Sequence, residues 1–470
     1  MKRPNQPWLF LIKLLLISLL AFSWCTEPTA EEANWMERSP SARTLGELFG
    51  VNGYWGWGYN QYSRFNPPDS GQALFAPYVS HFRLYHDMTW DLPDPDTPID
   101  FSQMANTGTP AKAWVNWDLE YPEWTKYGKP LQISLQMANF PADSWDEPYQ
   151  SAYNYGFAYA RHFGTTHGQG WVKTVEIGNE PWNYPPELYR QILDGMSAGV
   201  SAGDPAIEIY PCALQVNHSY FDRKPHFMNY LPTRLTPDLA GRMAGLNVHS
   251  YAWDSYDFST HRTVMPEQAG GTFLEMYAML DWRDKHLPDK KIYLSEFGYE
   301  SAGGGNACPH RECLSPELAA AYAVRSLVLA HRLGFDRATW FYYADEEREG
   351  TFSRSGLVSS RSAGFREKPV FTALKTLLQH LGDRQICWTL SADQGLHAYA
   401  YGTTNEQPDA LIAWYATETM DQTKSWTVPE GAWRVAPISI YSAEAASSTV
   451  VVEGGHSLEV GAMPMILLAQ

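Results

Sequence analysis

Two segments of this chain run from apolar residues into a glutamate. Val175-Glu176-Ile177-Gly178-Asn179-Glu180-Pro181-Trp182 ends in an amide, a carboxylate and a proline, and Ile292-Tyr293-Leu294-Ser295-Glu296-Phe297-Gly298 ends in a carboxylate followed by glycine. Two carboxyl groups are what cleavage of a glycosidic bond requires. One, protonated, assists the departing oxygen, and the other, ionised, faces the sugar ring from the opposite side of an oxocarbenium-like transition state. Glu180 and Glu296 are 116 positions apart, so only a fold that brings two strand ends face to face can pair them. For double displacement with retention the two carboxyl groups are expected roughly 5 to 5.5 Å apart. At that distance the charge on Glu296 raises the pKa of Glu180 and keeps it protonated.

The elements that must position them are legible as an alternation of short apolar runs and longer helical patterns, the signature of repeated βα units on a parallel sheet. Eight strands are predicted: Leu48–Tyr54, Val79–Tyr85, Leu131–Met137, Val172–Ile177, Ala206–Pro211, Met243–His249, Lys291–Glu296 and Ala338–Tyr343. The clearest helices between and after them are Ser151–Phe163, Pro186–Ala202, Thr272–His286, Pro316–Leu333 and Pro369–Leu381. Eight units in order predict an α/β protein, a (β/α)8 TIM barrel over residues 45–382, with a doubly wound open sheet as the competing arrangement. In a barrel the C-terminal strand ends form the active face, which is where strands four and seven deliver Glu180 and Glu296. From 383 to 470 the texture changes to alternating strand-like segments, Gly395–Tyr401, Ala410–Ala416, Ser425–Val428 and Arg434–Tyr441, which predict a small β-sandwich domain. A strand from within 30–44 is expected to join this β-sandwich domain or to add an edge strand beside the first barrel strand.

The Asn179-Glu180-Pro181 and Ser295-Glu296-Phe297-Gly298 strand ends, set in eight βα units, resemble clan A of the glycoside hydrolases, retaining (β/α)8 enzymes of which several families carry a C-terminal β-sandwich. The resemblance spans most of residues 45–382. It implies Glu180 as acid/base, Glu296 as nucleophile and Asn179 as a donor to the sugar 2-hydroxyl. Arg83 on strand two matches the clan's arginine that hydrogen-bonds the nucleophile, and His249 and Tyr251 on strand six match its His/Tyr pair. Trp340 on strand eight corresponds to the platform under the cleaved sugar. Trp55 and Trp57 in the glycine-rich first loop, Trp182 after Glu180 and Trp253 after Tyr251 fall where subsites are built. The activity implied is hydrolysis of β-linked oligo- or polysaccharides through a glycosyl-enzyme intermediate. A transglycosylase using the same carboxylates and a secreted non-catalytic carbohydrate-binding barrel are the alternatives. A binder needs stacking rings but no paired acid and nucleophile.

Composition agrees with this class and excludes others. The formal net charge of −17, with no basic run, argues against a nucleic-acid partner. Nineteen Trp and 28 Tyr supply both core rings and platforms for the C–H faces of sugars. No His-Glu-x-x-His or similar spacing is present, so neither a metal nor a cofactor is expected, and nothing implies a protein partner. Asp345, Glu346 and Glu347 read as a solvated acidic cluster. Lys2 and Arg3 precede an apolar stretch from Trp8 to Trp24, the layout of a signal peptide over residues 1–25, so a secreted or periplasmic location is expected. Cys25 at its end would be the anchor if the product were a lipoprotein, although Trp24 is larger than the residue that usually precedes such a cysteine. Cys308 and Cys313 flank Pro309-His310-Arg311-Glu312 in a Gly-rich loop and suit a local disulfide in an oxidising compartment. A metal site using His310 would have an incomplete ligand set. Cys212 reads as a buried thiol.

Overall fold

The computed structural model describes residues 38–53, 70–103, 116–181, 183–213, 236–255, 257, 259–393, 395–441 and 450–470. The segment expected to be a signal peptide, with Cys25, lies outside them, as do Trp55, Trp57 and Trp182. Among the described residues no helix is long and apolar enough to cross a membrane.

Eight parallel strands form the barrel: β1 Phe49–Asn52, β2 His81–Asp87, β3 Leu131–Gln136, β4 Val172–Ile177, β5 Glu208–Pro211, β6 Gly245–His249, β7 Lys291–Phe297 and β8 Arg337–Trp340. They pair in the order β5-β4-β3-β2-β1-β8-β7-β6. A backbone hydrogen bond from Ala244 N to Ile209 O (2.8 Å) crosses the remaining gap between β5 and β6. All eight expected strands are present. Several are shorter than the apolar runs suggested, because barrel strands give way to loops once the next parallel partner ends.

Side chains alternate between the barrel interior and the helical layer, as a pleated strand requires. His81 fills the floor of the interior beside Thr339 (Nε2 to Oγ1 2.9 Å). A Cβ on Gly50 would come within 2.3 Å of that imidazole, so β1 has room only for glycine there. The same alternation turns Arg83 and Tyr85 inward from β2. It also settles β8: Thr339 faces the interior, so Trp340 must face the helices. Trp340 is fully buried there, edge-on to Phe297 at 5.4 Å, with its indole N–H donating to Ser355 O (2.8 Å). The expectation of Trp340 as a sugar platform is therefore corrected.

The helix Pro316–Leu333 matches its expected bounds. Ser315 caps its N-terminus by accepting from Leu318 N, Pro316 occupies the first turn, and Gly334 ends it at φ 90°. Its residues from Ala319 to Leu333 are all buried, as befits a helix packed on both sides. One neighbour is the barrel and the other is the C-terminal domain.

That domain has a six-stranded antiparallel sheet ordered β14-β13-β16-β11-β10-β9 and a two-stranded sheet, β12-β15, where β9 is Gln385–Asp393, β10 Leu396–Gly402, β11 Ala410–Tyr415, β12 Lys424–Thr427, β13 Ala432–Pro437, β14 Val451–Glu453, β15 Ser457–Val460 and β16 Met465–Ala469. Ala398, Ala400, Leu411, Ala413, Trp426, Trp433 and Leu467 form the core on one face. The other face meets the barrel helix through Tyr401, whose hydroxyl lies 3.2 Å from His331 Nδ1, and through Arg332, which donates to Thr389 (2.7 Å).

Residues 38–44 carry no strand. The chain instead runs as a strap, held by Ser41 N to His331 O and Leu45 N to Arg384 O (both 2.9 Å), before a capping box on Thr44 and Glu47 starts the short helix Leu45–Leu48. A backbone held at single points on a helix end and a loop has no sheet edge to extend, and the expected edge strand is corrected in the described part of that segment. Asp345 is also not solvated: it is buried and paired with Lys368 (2.9 Å).

Candidate active site

The centre of the site is Arg83. Its buried guanidinium holds Glu176 in a fork (Nε to Oε2 2.8 Å, Nη2 to Oε1 2.9 Å) and donates to Asn52 Oδ1 (2.8 Å), Asn179 Oδ1 (2.8 Å), Tyr85 Oη (2.9 Å) and Glu296 Oε1 (2.7 Å). A planar fork of five N–H donors can bind several acceptors at fixed angles, which a lysine cannot. One residue thus ties together the ends of β1, β2, β4 and β7.

Glu296 receives two further hydrogen bonds, from Tyr85 (2.5 Å to Oε1) and Tyr251 (2.8 Å to Oε2). It reaches them through an irregularity in β7. The pairing with β6 slips between Val248 and His249, and that with β8 between Leu294 and Phe297. Ser295 accepts from Asn247 (3.2 Å) while the next residue, Glu296, bonds Arg83, so two consecutive side chains face the interior. A bulge is the way a strand re-aims a side chain without changing its course.

Glu180 follows β4 after Gly178, whose φ of 83° is the left-handed conformation that glycine adopts without strain. That turn is fixed by Gly178 N to Leu135 O (2.7 Å) and Ala213 N to Asn179 O (3.0 Å). Glu180 Oε1 lies 2.6 Å from His249 Nδ1, and its side chain remains 29% exposed at the mouth. Asn179 has its oxygen engaged by Arg83, which orients its amide N–H groups as donors.

Oxygen atoms of Glu180 and Glu296 lie within 4.8 Å of one another, with a nitrogen of His249 inside the same limit. The two carboxyl groups are driven in opposite directions. Burial, helped by the charge on Glu296, raises the pKa of Glu180 against the opposing effect of His249. Burial acts on Glu296 too, but His249, Arg83 and the hydroxyls of Tyr85 and Tyr251 outweigh it and hold Glu296 below its ordinary value. His249 is itself raised: burial opposes its charge, while Glu296 and Glu180 favour it. One acid and one base arise from two identical groups, the pattern of a proton donor beside a nucleophile. The trio Glu180, His249 and Glu296 could in principle ligate a metal. Arg83, however, already places a fixed positive charge on Glu296 Oε1, an arrangement suited to proton traffic and unfavourable to a cation.

The structure therefore brings Arg83, Asn179, Glu180, His249, Tyr251 and Glu296 together. Trp253 stacks on Tyr251 (5.1 Å, 12°) and stands behind it. Asn52, Tyr85 and Glu176 were not anticipated. The alternation of β2 from Arg83 would have found Tyr85, and that of β4 would have found Glu176. In place of Trp340, the half-buried ring of Phe341 stands edge-on to both Tyr85 and Tyr251 (6.5 Å each). Phe352 lies against Tyr251 at 4.7 Å.

An eight-stranded parallel barrel followed by an antiparallel β domain is a fold this chain shares with solved glycoside hydrolases. No family model matches the chain, and no curated protein does. Solved structures do. A family 39 glycoside hydrolase from the gut symbiont Bacteroides cellulosilyticus WH2 is similar over 91% of this chain and 81% of its own, with a TM-score of 0.64 at 14% identity. The GH51 arabinofuranosidase of Xanthomonas axonopodis pv. citri matches over 92% of this chain and 98% of its own (TM-score 0.54, 15% identity). The catalytic domain of GH30 xylanase C from Talaromyces cellulolyticus does so over 92% and 99% (TM-score 0.54, 10% identity). At these identities the likeness is one of fold.

Proposed function

We propose that this chain is a retaining glycoside hydrolase acting on β-linked glycans, with Glu296 as nucleophile and Glu180 as acid/base. The observation that carries the reading is a pair of facing carboxyl groups whose oxygens approach within 4.8 Å, an approach compatible with the short carboxyl separation of retaining enzymes, with their proton affinities pushed apart. In the first step Glu296 forms a bond to the anomeric carbon as the glycosidic C–O bond breaks, and Glu180 gives its proton to the leaving oxygen. In the second, Glu180, now ionised, takes a proton from water, whose oxygen displaces Glu296. Asn179 donates to the sugar hydroxyl neighbouring the anomeric carbon. Arg83, Tyr85 and Tyr251 disperse the charge of Glu296 before attack and after its release.

Export is part of the same proposal. A glycan-degrading enzyme meets its polymer outside the cell, and the disulfide Cys308–Cys313 is at home in an oxidising compartment.

The test is a panel of plant, algal and bacterial β-glycans, with the anomeric configuration of the first product followed by proton NMR. Retained configuration is expected, and Glu296→Ala is expected to lower turnover by about 10⁴-fold while sugar binding survives. Inverted product, or turnover unchanged in the variant, overturns the assignment.

A further inference from the structure

Phe352 has φ 69°. A bulky side chain in the left-handed region is an outlier that persists only when its surroundings enforce it, and such residues gather at ligand clamps. The surroundings here do enforce it. Ser355 N donates to Phe352 O (3.0 Å), Ser353 N to Gly350 O (3.1 Å) and Glu346 N to Ser353 O (2.9 Å). Arg354, the second residue after it, is buried. Its backbone N–H donates to Glu300 Oε1 (3.0 Å), and its guanidinium to the carbonyls of Ala307 and Glu346 (2.8 Å each). His310, inside the disulfide-closed loop, lies 3.2 Å from the Ser353 hydroxyl.

What this scaffold presents is a ring. Phe352 packs at 4.7 Å on Tyr251, which bonds Glu296, and at 5.6 Å edge-on to Phe341. Phe341 in turn stands beside Tyr85, the second phenol on Glu296. Phe341 and Phe352 both remain partly exposed, while Tyr251 and Trp253 behind them are buried. A loop that needed only to fill space could place glycine at this position and avoid the strain.

We infer that Phe352 is a substrate-contacting residue, which with Phe341 forms an apolar wall beside Glu296 that takes the C–H face of a neutral sugar ring. The inference rests on the glycosidase reading. Apolar C–H groups packing on an aromatic ring explain why the wall is built of phenylalanine, with no polar tip to satisfy. The sequence marks Phe352 by no motif, and its backbone conformation is what singles it out.

The test compares wild type with Phe352→Ala, Phe352→Gly and Phe352→Trp. The probes are 4-nitrophenyl β-D-xyloside and β-D-glucoside and the β-1,4-linked oligosaccharides of each sugar. Loss of the ring is expected to raise KM tenfold or more in the alanine and glycine variants with kcat within threefold, and tryptophan is expected to restore KM to within threefold of wild type. Thermal midpoints carry the second readout. The glycine variant should melt at or above the alanine variant, since it alone is free of the left-handed strain, and it remains usable if the alanine variant fails to fold. An active wild type whose glycine and alanine variants keep KM within twofold overturns this inference alone. A wild type that neither binds nor cleaves any of these sugars overturns the inference and removes the glycosidase reading for these substrates.

Discussion

Tyr85 and Tyr251 each place a phenol proton on Glu296, and Arg83 adds a full charge. Hydrogen bonds to an ionised carboxylate favour the ionised form, so each donor has a counterpart in the pH profile. In the proposed mechanism activity needs Glu296 deprotonated and Glu180 protonated. It is therefore lost on the acid side as pH falls through the lowered pKa of Glu296, and on the alkaline side as pH rises through the raised pKa of Glu180. A bell-shaped plot of kcat/KM is expected. Tyr85→Phe removes one charge-assisted bond, worth about 1.5–3 kcal/mol, and should move the acid limb up by about one to two pH units while leaving the alkaline limb in place. Glu180→Gln should abolish the alkaline limb. An acid limb unmoved in Tyr85→Phe would mean that the phenol does not set the ionisation of Glu296.

Strand ends and the loops beyond them differ in how far the sequence reveals them. The glutamates were legible because each closes an apolar run, and Arg83 because it interrupts one. Tyr85 was legible in principle, since residues 83 and 85 share a face in any strand, but a tyrosine in a strand is ordinary enough to pass as core. Trp340 misled for a related reason. Trp340-Phe341-Tyr342-Tyr343 offers four rings in succession, and which of them turns inward depends on the phase of the alternation, fixed in space by Thr339 against His81. Phe352 lies in a loop with no periodicity at all. The loop that holds it is tied to the disulfide loop, which also reaches the loop after β6: Thr263 Oγ1 donates to Glu312 O (2.7 Å), and His261 Nε2 lies 3.2 Å from Glu312 Oε1 while its ring lies 4.4 Å from Trp253. Cys308 and Cys313 therefore close an element that braces two loops bearing site aromatics. Replacing both cysteines with serine should raise KM severalfold with kcat little changed, because Glu296 is held by β7 and Arg83 independently of this loop. Steady-state kinetics of the double variant decide the point, and a loss confined to kcat would contradict it.

At the scale of the molecule, the C-terminal domain was visible as a change of texture at Gly382, and four of its eight strands among the described residues could be read. β9 is half-exposed and lacks clean alternation, while β14, β15 and β16 run only three to five residues each. What could not be read is that this domain reaches the loop after β6. Glu267, in the same β6 loop as Tyr251 and Trp253, has a buried side chain. It forms a fork with Arg325 of the helix Pro316–Leu333 and accepts from the indole of Trp414 on β11 (2.8 Å). Burial alone would raise its pKa, yet the charge and bonds of Arg325 hold it below the ordinary carboxylate value, so it is an anion locked between two domains. The loop closes on itself a few residues away, Trp253 N to Thr272 Oγ1 and Thr272 N to Trp253 O (both 2.9 Å), and a shift at Glu267 is predicted to reach Trp253 through this closure. Trp414→Phe keeps the stacking surface for His397 and removes one hydrogen bond to a charged group, worth about 1.5–3 kcal/mol. It should lower the thermal midpoint by a few degrees and raise KM, with the acid limb of the pH profile unmoved because Glu296 keeps all its donors. Glu267→Gln should cost more, about 3–5 kcal/mol, since it leaves Arg325 buried without its counter-charge. Calorimetry and kinetics on the two variants separate the roles. A fall in melting temperature with KM unchanged would reduce the C-terminal domain to a cover for the barrel helix, whereas parallel changes would make it a support for the wall that receives the sugar.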